Sequence, residues 1–412
     1  MEKRTEERFK KNITRVSHAA LNRLKENSSG LPELGHFLGV LKDTFVTMKA
    51  TGDTYIGSYC VMVPDELIYA FGFRPLRLCA GHSIAALVGD ELVPRDACPV
   101  VKASVGFHAM QVMPTYKQCR LAVLPMTCDA KRKSASILAK HLQVIPFPVP
   151  AEKSNANFER SVEDIWGMTK SISAITGHKL SNKALVQAYK DINEAQKEAY
   201  KLYAFLHGED APILGTQVIA VLNSYCYDTP GEWTSYVRQL NLKLSKKENK
   251  SMAGRRKKPR VLLAGAPVTF PNFKLPFLLE SLGAQIVGDE TCMAGRLLYD
   301  PVIPDDLSTS GMIRALAARY ISACTCPVFS QTEDRMCSIR EKVQITGAEG
   351  IVYHVLRGCT PYDYEVRDVE QLAGCLGIPM IRVETDFSEE DMEQVRVRLE
   401  AFCEMIEERR SL

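Results

Sequence analysis

Apolar positions recur at three- to four-residue steps through the first fifty residues. Leu21, Leu24, Leu38, Leu41 and Phe45 stand there among charges, and the period predicts a helical segment over 1–50. Beyond residue 51 the texture changes to short apolar runs broken by Gly and Pro. The runs 75–78, 120–124 and 142–145 read as strands, with helices at 65–71 and 131–141 between them. That alternation predicts an α/β unit with a parallel sheet over 51–154. Residues 155–257 turn polar and helical, with Trp166, Ile172 and Ile175, then Leu185, Ala188 and Ile192, at helical steps. The stretch 243–260 carries nine Lys or Arg against one Glu, expected as a solvated linker, the alternative being a docking patch for an acidic partner. A second α/β unit is expected over 258–412, with strands at 260–265, 285–287, 350–353 and 379–383. It ends in a helix whose stripe is Met392, Val395, Leu399, Phe402 and Ile406, behind a capping-box pattern at Ser388 and Asp391.

The chain has 412 residues, 46% hydrophobic and 25% charged, an ordinary globular balance that excludes a mostly disordered polymer. A net charge of +3 gives no global reason to expect nucleic acid or an anionic membrane as partner. No apolar stretch reaches the length of a membrane span, and the start MEKRTEERFKKN has no hydrophobic signal region. A cytoplasmic location, with reduced thiols, is the expectation. Thirteen cysteines in such a chain point to metal or redox chemistry before cross-links.

Cys128 lies just past the strand at 120–124, and Cys359 just past the strand beginning at residue 350. Open parallel sheets bind ligands at that edge, and a following helix N-terminus favours thiolate charge. Cys98 and Cys326 are each followed by Pro, which suits the first position of a helix. Thirty residues separate Cys98 from Cys128, and thirty-three separate Cys326 from Cys359. The two units therefore read as an internal repeat: two Rossmann- or flavodoxin-like parallel-sheet domains with N-terminal and inserted helical segments. Cys60 and Cys292 are further upstream candidates, although Cys79 lies nearer the point equivalent to Cys292.

Thiolates without histidine suit zinc or iron–sulfur clusters. Structural zinc favours short Cys-x₂₋₄-Cys knuckles, and only Cys324-x-Cys326 comes close, so wide spacing suits a large cluster held between two domains better. Zinc, or merely structural thiols, remain as alternatives. Cys375 and Cys403 are expected as small core hydrophobes, Cys119, Cys226 and Cys337 as structural, and Cys79 and Cys324 stay open. Gly265-Ala266-Pro267 lacks a full dinucleotide fingerprint and no Walker sequence occurs, so the chain itself is not expected to bind ATP. His354 reads either as a proton relay near the site or as a satisfied core histidine, and Glu384 and Asp386 read as caps.

The run Gly57-Ser58-Tyr59-Cys60-Val61-Met62-Val63-Pro64-Asp65-Glu66-Leu67-Ile68, followed by Pro75-Leu76-Arg77-Leu78-Cys79, resembles the N-terminal unit of the 2-hydroxyacyl-CoA dehydratase and benzoyl-CoA reductase superfamily. Arg95-Asp96-Ala97-Cys98-Pro99, Thr127-Cys128-Asp129-Ala130-Lys131-Arg132-Lys133, Cys359 and Ile381-Arg382-Val383-Glu384-Thr385-Asp386 extend the resemblance over about 50–150 and 258–410. Ala130 departs from the Gly common there. Within the superfamily the chain is most similar to the double-cubane cluster proteins. That resemblance implies an [8Fe–9S] double cubane on Cys60, Cys98, Cys128, Cys292, Cys326 and Cys359, a homodimer, and an ATP-dependent iron–sulfur activator as electron donor. It implies reduction of small molecules. The other branch it resembles, the dehydratase subunits, implies one [4Fe–4S] cluster on three cysteines and elimination of water from a 2-hydroxyacyl-CoA.

Overall fold

Two all-parallel four-stranded sheets carry the molecule. The protein's structure is a computed structural model that describes residues 3–28, 30–208, 210–247 and 258–410. The first sheet contains β1 (Tyr55–Ser58), β2 (Arg74–Arg77), β3 (Leu121–Pro125) and β4 (Gln143–Phe147) in the order β2-β1-β3-β4. The second contains β5 (Arg260–Gly265), β6 (Gln285–Glu290), β7 (Gly350–Leu356) and β8 (Met380–Thr385) in the order β6-β5-β7-β8. Replacing each strand by its counterpart turns one order into the other, so the expected α/β repeat is present in the topology. This arrangement is the doubly wound one. Both faces of such sheets are covered by helices, which is why β3 and β7 are buried at every position instead of alternating.

The β1 strand carried no strand signal in the sequence. It is four residues long, buried throughout, and central in its sheet. Gly57 sits where a Cβ would stand 2.5 Å from the Leu78 side chain and 2.8 Å from the Cys119 sulfur, so its neighbours exclude the β-branched residue a strand favours.

Within the first fifty residues Lys3–Glu26 and Gly35–Phe45 are helical as expected, and they bury Leu21, Leu24, Leu41 and Phe45. The middle segment supplies four long helices, Asn155–Thr176, Asn182–Ala204, Gly215–Tyr225 and Pro230–Lys247. Of the basic stretch, Lys243 pairs with Glu33 at 3.7 Å and Lys247 donates to the Gly30 carbonyl, while residues 248–257 lie outside the described residues. Among the described residues no helix is long and apolar enough to cross a membrane.

Three local expectations are corrected. Pro327 opens a turn and not a helix, because Ser330 is drawn to the first lobe and donates to the Ala151 carbonyl through both its N–H (2.8 Å) and its hydroxyl (3.1 Å). The Ser388/Asp391 capping box does not form. The Asp391 carboxylate is taken instead by Lys274 Nζ and by Thr385 Oγ1 at 2.7 Å, so it ties the C-terminal helix Met392–Arg409 to the sheet. Cys375 is exposed at the end of the helix Val366–Cys375, whereas Cys403 is buried as expected.

Candidate metal centre

In a parallel sheet every strand delivers its chain to the same edge. Cys60 follows β1 by two residues, Cys79 follows β2 by two and Cys128 follows β3 by three. Cys292 follows β6 by two residues and Cys359 follows β7 by three. By strand order Cys79 is thus the counterpart of Cys292, and Cys128 that of Cys359. The loop of Cys359 meets the loop of Cys98 where Gly358 packs against the carbonyl of Asp96.

Cys98, Cys128 and Cys359 are each the N-cap of a helix, Pro99–Met110, Asp129–Leu138 and Thr360–Tyr364 respectively. The Cys359 thiol donates to the Cys98 sulfur, and the N–H groups of Val100 and Val101 add to that, holding Cys98 down at about 7 against the cost of burial. Cys359, the donor, is pushed well up, and it also feels Cys128. Cys292 interacts electrostatically with Cys60, Cys79 and Cys326, and burial pushes it up to about 12. Cys326 feels Cys60 and Lys131, and burial raises it too. The thiols thus interact in two sets that each cross the lobes, Cys98 and Cys128 with Cys359, and Cys60 and Cys79 with Cys292 and Cys326, and Lys131 acts on both sets. Cys324 is buried and its thiol is driven up to about 12 by burial; it feels Cys326, Arg296 and Arg319.

Positive charge reaches these thiols from both lobes. Lys131, in the first turn after Cys128, donates from Nζ to the Cys60 sulfur. Burial alone would lower its pKa, but the thiols of Cys60, Cys79 and Cys128 outweigh that and hold it well above the usual lysine value. From the second lobe comes Arg296, which interacts with Cys292 and Cys326 and donates to the Thr325 carbonyl at 2.8 Å. Behind it Glu290 is fully buried. Burial would push its carboxyl up, but Lys342, Arg296 and Arg335 overcome this and keep it at about 2. Lys342 lies 3.0 Å and Arg335 3.2 Å from its oxygens, so the buried carboxylate is paired on both.

His354 lies elsewhere. It is buried inside β7 with Nδ1 3.2 Å from the Ala266 carbonyl oxygen. Burial drives its pKa down to about 4, and the charges acting on it are Lys274 and Asp391. This is the environment of a satisfied core histidine. Asp386 caps the turn after β8 by accepting from the Ser388 N–H at 2.8 Å. Among the described residues no three His, Cys, Asp or Glu side chains close on a single-ion site. A polynuclear cluster does not ask for one, since its terminal thiolates bind different irons.

A family model, the D-component of 2-hydroxyglutaryl-CoA dehydratase, matches residues 60–406. The chain belongs to this dehydratase D-component family. The match opens at Cys60 and encloses all six candidate cysteines. Among curated relatives, YjiM of Escherichia coli (strain K12), named provisionally as a dehydratase subunit, is 25% identical over 88% of this chain and 94% of its own. The beta subunit of (R)-2-hydroxyglutaryl-CoA dehydratase from Acidaminococcus fermentans is 22% identical over 89% of this chain and 96% of its own. The (R)-phenyllactyl-CoA dehydratase beta subunit of Clostridium sporogenes is 23% identical over 87% of this chain and 93% of its own. Members of the dehydratase D-component family are components of enzymes, and the candidate donors in this member are chemically suited to iron and sulfide: soft thiols near cations, three of them at helix N-termini.

Sequence reasoning did not reach Lys131, Arg296 or the Glu290 network. Lys131 carried a usable signal, a cation three residues after an N-cap cysteine and so one turn above it. Arg296 and Glu290 carried none, since each acts through neighbours distant in sequence.

Proposed function

We propose that this chain is the iron–sulfur component of a reductive dehydratase-type system, with Cys60, Cys98, Cys128, Cys292, Cys326 and Cys359 holding an [8Fe–9S] double cubane. The reading is supported by the interactions of thiols across the lobes, Cys98 with Cys359 and Cys60 with Cys292 and Cys326, and by the cations Lys131 and Arg296 beside them. When bound, such a centre supplies low-potential electrons one at a time. The residues of the chain do the rest. The helix N-terminus at Cys98 and the charges of Lys131 and Arg296 act in favour of thiolate over thiol. The six candidate cysteines are half-buried, and the Glu290–Arg335–Lys342 network fixes the strand end that presents Cys292. Electrons arrive from a separate ATP-hydrolysing iron–sulfur protein, two copies of the chain work together in a reducing cytoplasm, and the acceptor is a small molecule.

The names of the curated relatives favour a second reading, a dehydratase subunit acting on a 2-hydroxyacyl-CoA; in that reading we assign one [4Fe–4S] cluster to Cys98, Cys128 and Cys359. Metal analysis of anoxically prepared protein separates the two. About eight irons per chain is expected for the double cubane, about four for the single cluster. Zinc without iron sinks both.

A further inference from the structure

Cys60 is held by every polar group it owns. Its backbone is left-handed, with φ 59°, a conformation that a side chain other than glycine seldom takes without outside support. Its N–H donates to the Cys79 sulfur at 3.5 Å, its carbonyl accepts from Arg77 Nη1, and its own sulfur accepts from Lys131. Arg77 is itself almost wholly buried and is oriented by Asp65, whose two oxygens lie 3.0 and 3.2 Å from Nη2. One planar guanidinium thus grips the Asp65 carboxylate with one nitrogen and the Cys60 carbonyl with the other. A lysine ammonium cannot reproduce that fork.

We infer that the Asp65–Arg77 pair is a positioning device that locks the Cys60 loop in its left-handed turn and so presents the Cys60 sulfur across the lobe boundary to Cys292 and Cys326. It rests on the cluster reading for its purpose, but not for its geometry. Without the carbonyl anchor, the residue relaxes towards ordinary backbone angles. The sulfur then swings off Lys131, while Cys98, Cys128 and Cys359, capped by their own helices, stay in place.

The test is site-resolved alkylation by iodoacetamide, read by peptide mass spectrometry, with the exposed Cys337 as internal rate standard. Arg77→Lys keeps the buried charge opposite Asp65, and Asp65→Asn frees the guanidinium. In the metal-free full-length chain at about pH 10, where an ordinary thiol is already ionised and the rate reads access to the sulfur, each is expected to raise the Cys60 rate relative to Cys337 by about tenfold, near the lower end of what one charge-assisted hydrogen bond is worth. The rates of Cys98, Cys128 and Cys359 should not move. In the iron-loaded chain the same variants should expose Cys60 and leave those three protected. An unchanged Cys60 rate in both variants, with a wild-type circular dichroism spectrum, overturns the inference. A rise shared by all the cysteines also overturns it, since that reports general loosening. Should the wild-type chain take up no iron, the cluster reading falls, and the metal-free comparison still decides the role of Arg77.

Discussion

Glu66 shows how far one buried residue can depart from what its type suggests. It follows the Pro64-Asp65 step, is wholly buried, and accepts from the Tyr320 hydroxyl of the other lobe at 2.8 Å on one oxygen only. Burial raises its pKa from 4.5 to about 7. The folded chain therefore holds this proton more tightly than the unfolded chain does. Its contribution is intact below pH 4.5 and is lost as pH rises towards 7, in all about 3 kcal/mol. Glu66→Gln keeps an acceptor for Tyr320 and removes the titration. Its stability relative to wild type should improve by about that amount between pH 4 and pH 8 in urea unfolding, and a difference that does not change with pH would refute the assignment. The sequence marks Glu66 as polar in an apolar helix start and no more. Lys131 is similar: its cationic type is written in the chain, whereas its value lies in sulfurs contributed by three loops.

Between strand and helix, the tight points are glycines. Gly358 has φ 74°, and a Cβ there would stand 2.2 Å from the Asp96 carbonyl oxygen on the other lobe. Gly377 has φ 69° but nothing within 4 Å of the same added atom. Gly377→Ala should cost about 1 kcal/mol of backbone strain and leave iron uptake alone. Gly358→Ala adds a collision between the loop of Cys359 and the loop of Cys98. It should lower iron content sharply while far-UV circular dichroism stays native, and equal iron in the two variants would show that this contact does not matter. At this scale most elements were legible, because buried strands and amphipathic helices write their period into the chain. The β1 strand was not, being short and interrupted by a glycine that its neighbours demand. The helix expected at Pro327 failed because a hydrogen bond from the other lobe outweighs local preference.

At the scale of the whole molecule, the question is how many thiols the two lobes contribute. Under the double-cubane proposal, serine at Cys60, Cys292 or Cys326 lowers iron below about eight per chain, and serine at Cys98, Cys128 or Cys359 does the same. Under the single-cluster reading the first set leaves iron at about four and only the second set removes it. A Cys98→Ser chain that keeps its full iron counts against both. The sequence by itself determined the repeat, the parallel α/β architecture and the cysteines at strand ends, because periodicity and the position of a residue past a strand are local properties. Only the tertiary structure decided that Cys98 interacts with Cys359 and Cys60 with Cys292 and Cys326 across the lobes, that Cys79 and Lys131 interact with Cys60, and that His354 sits beside Ala266, Lys274 and Asp391. Such meetings depend on which sheet edges face each other and on charges buried together, and neither is a property of any one stretch of chain.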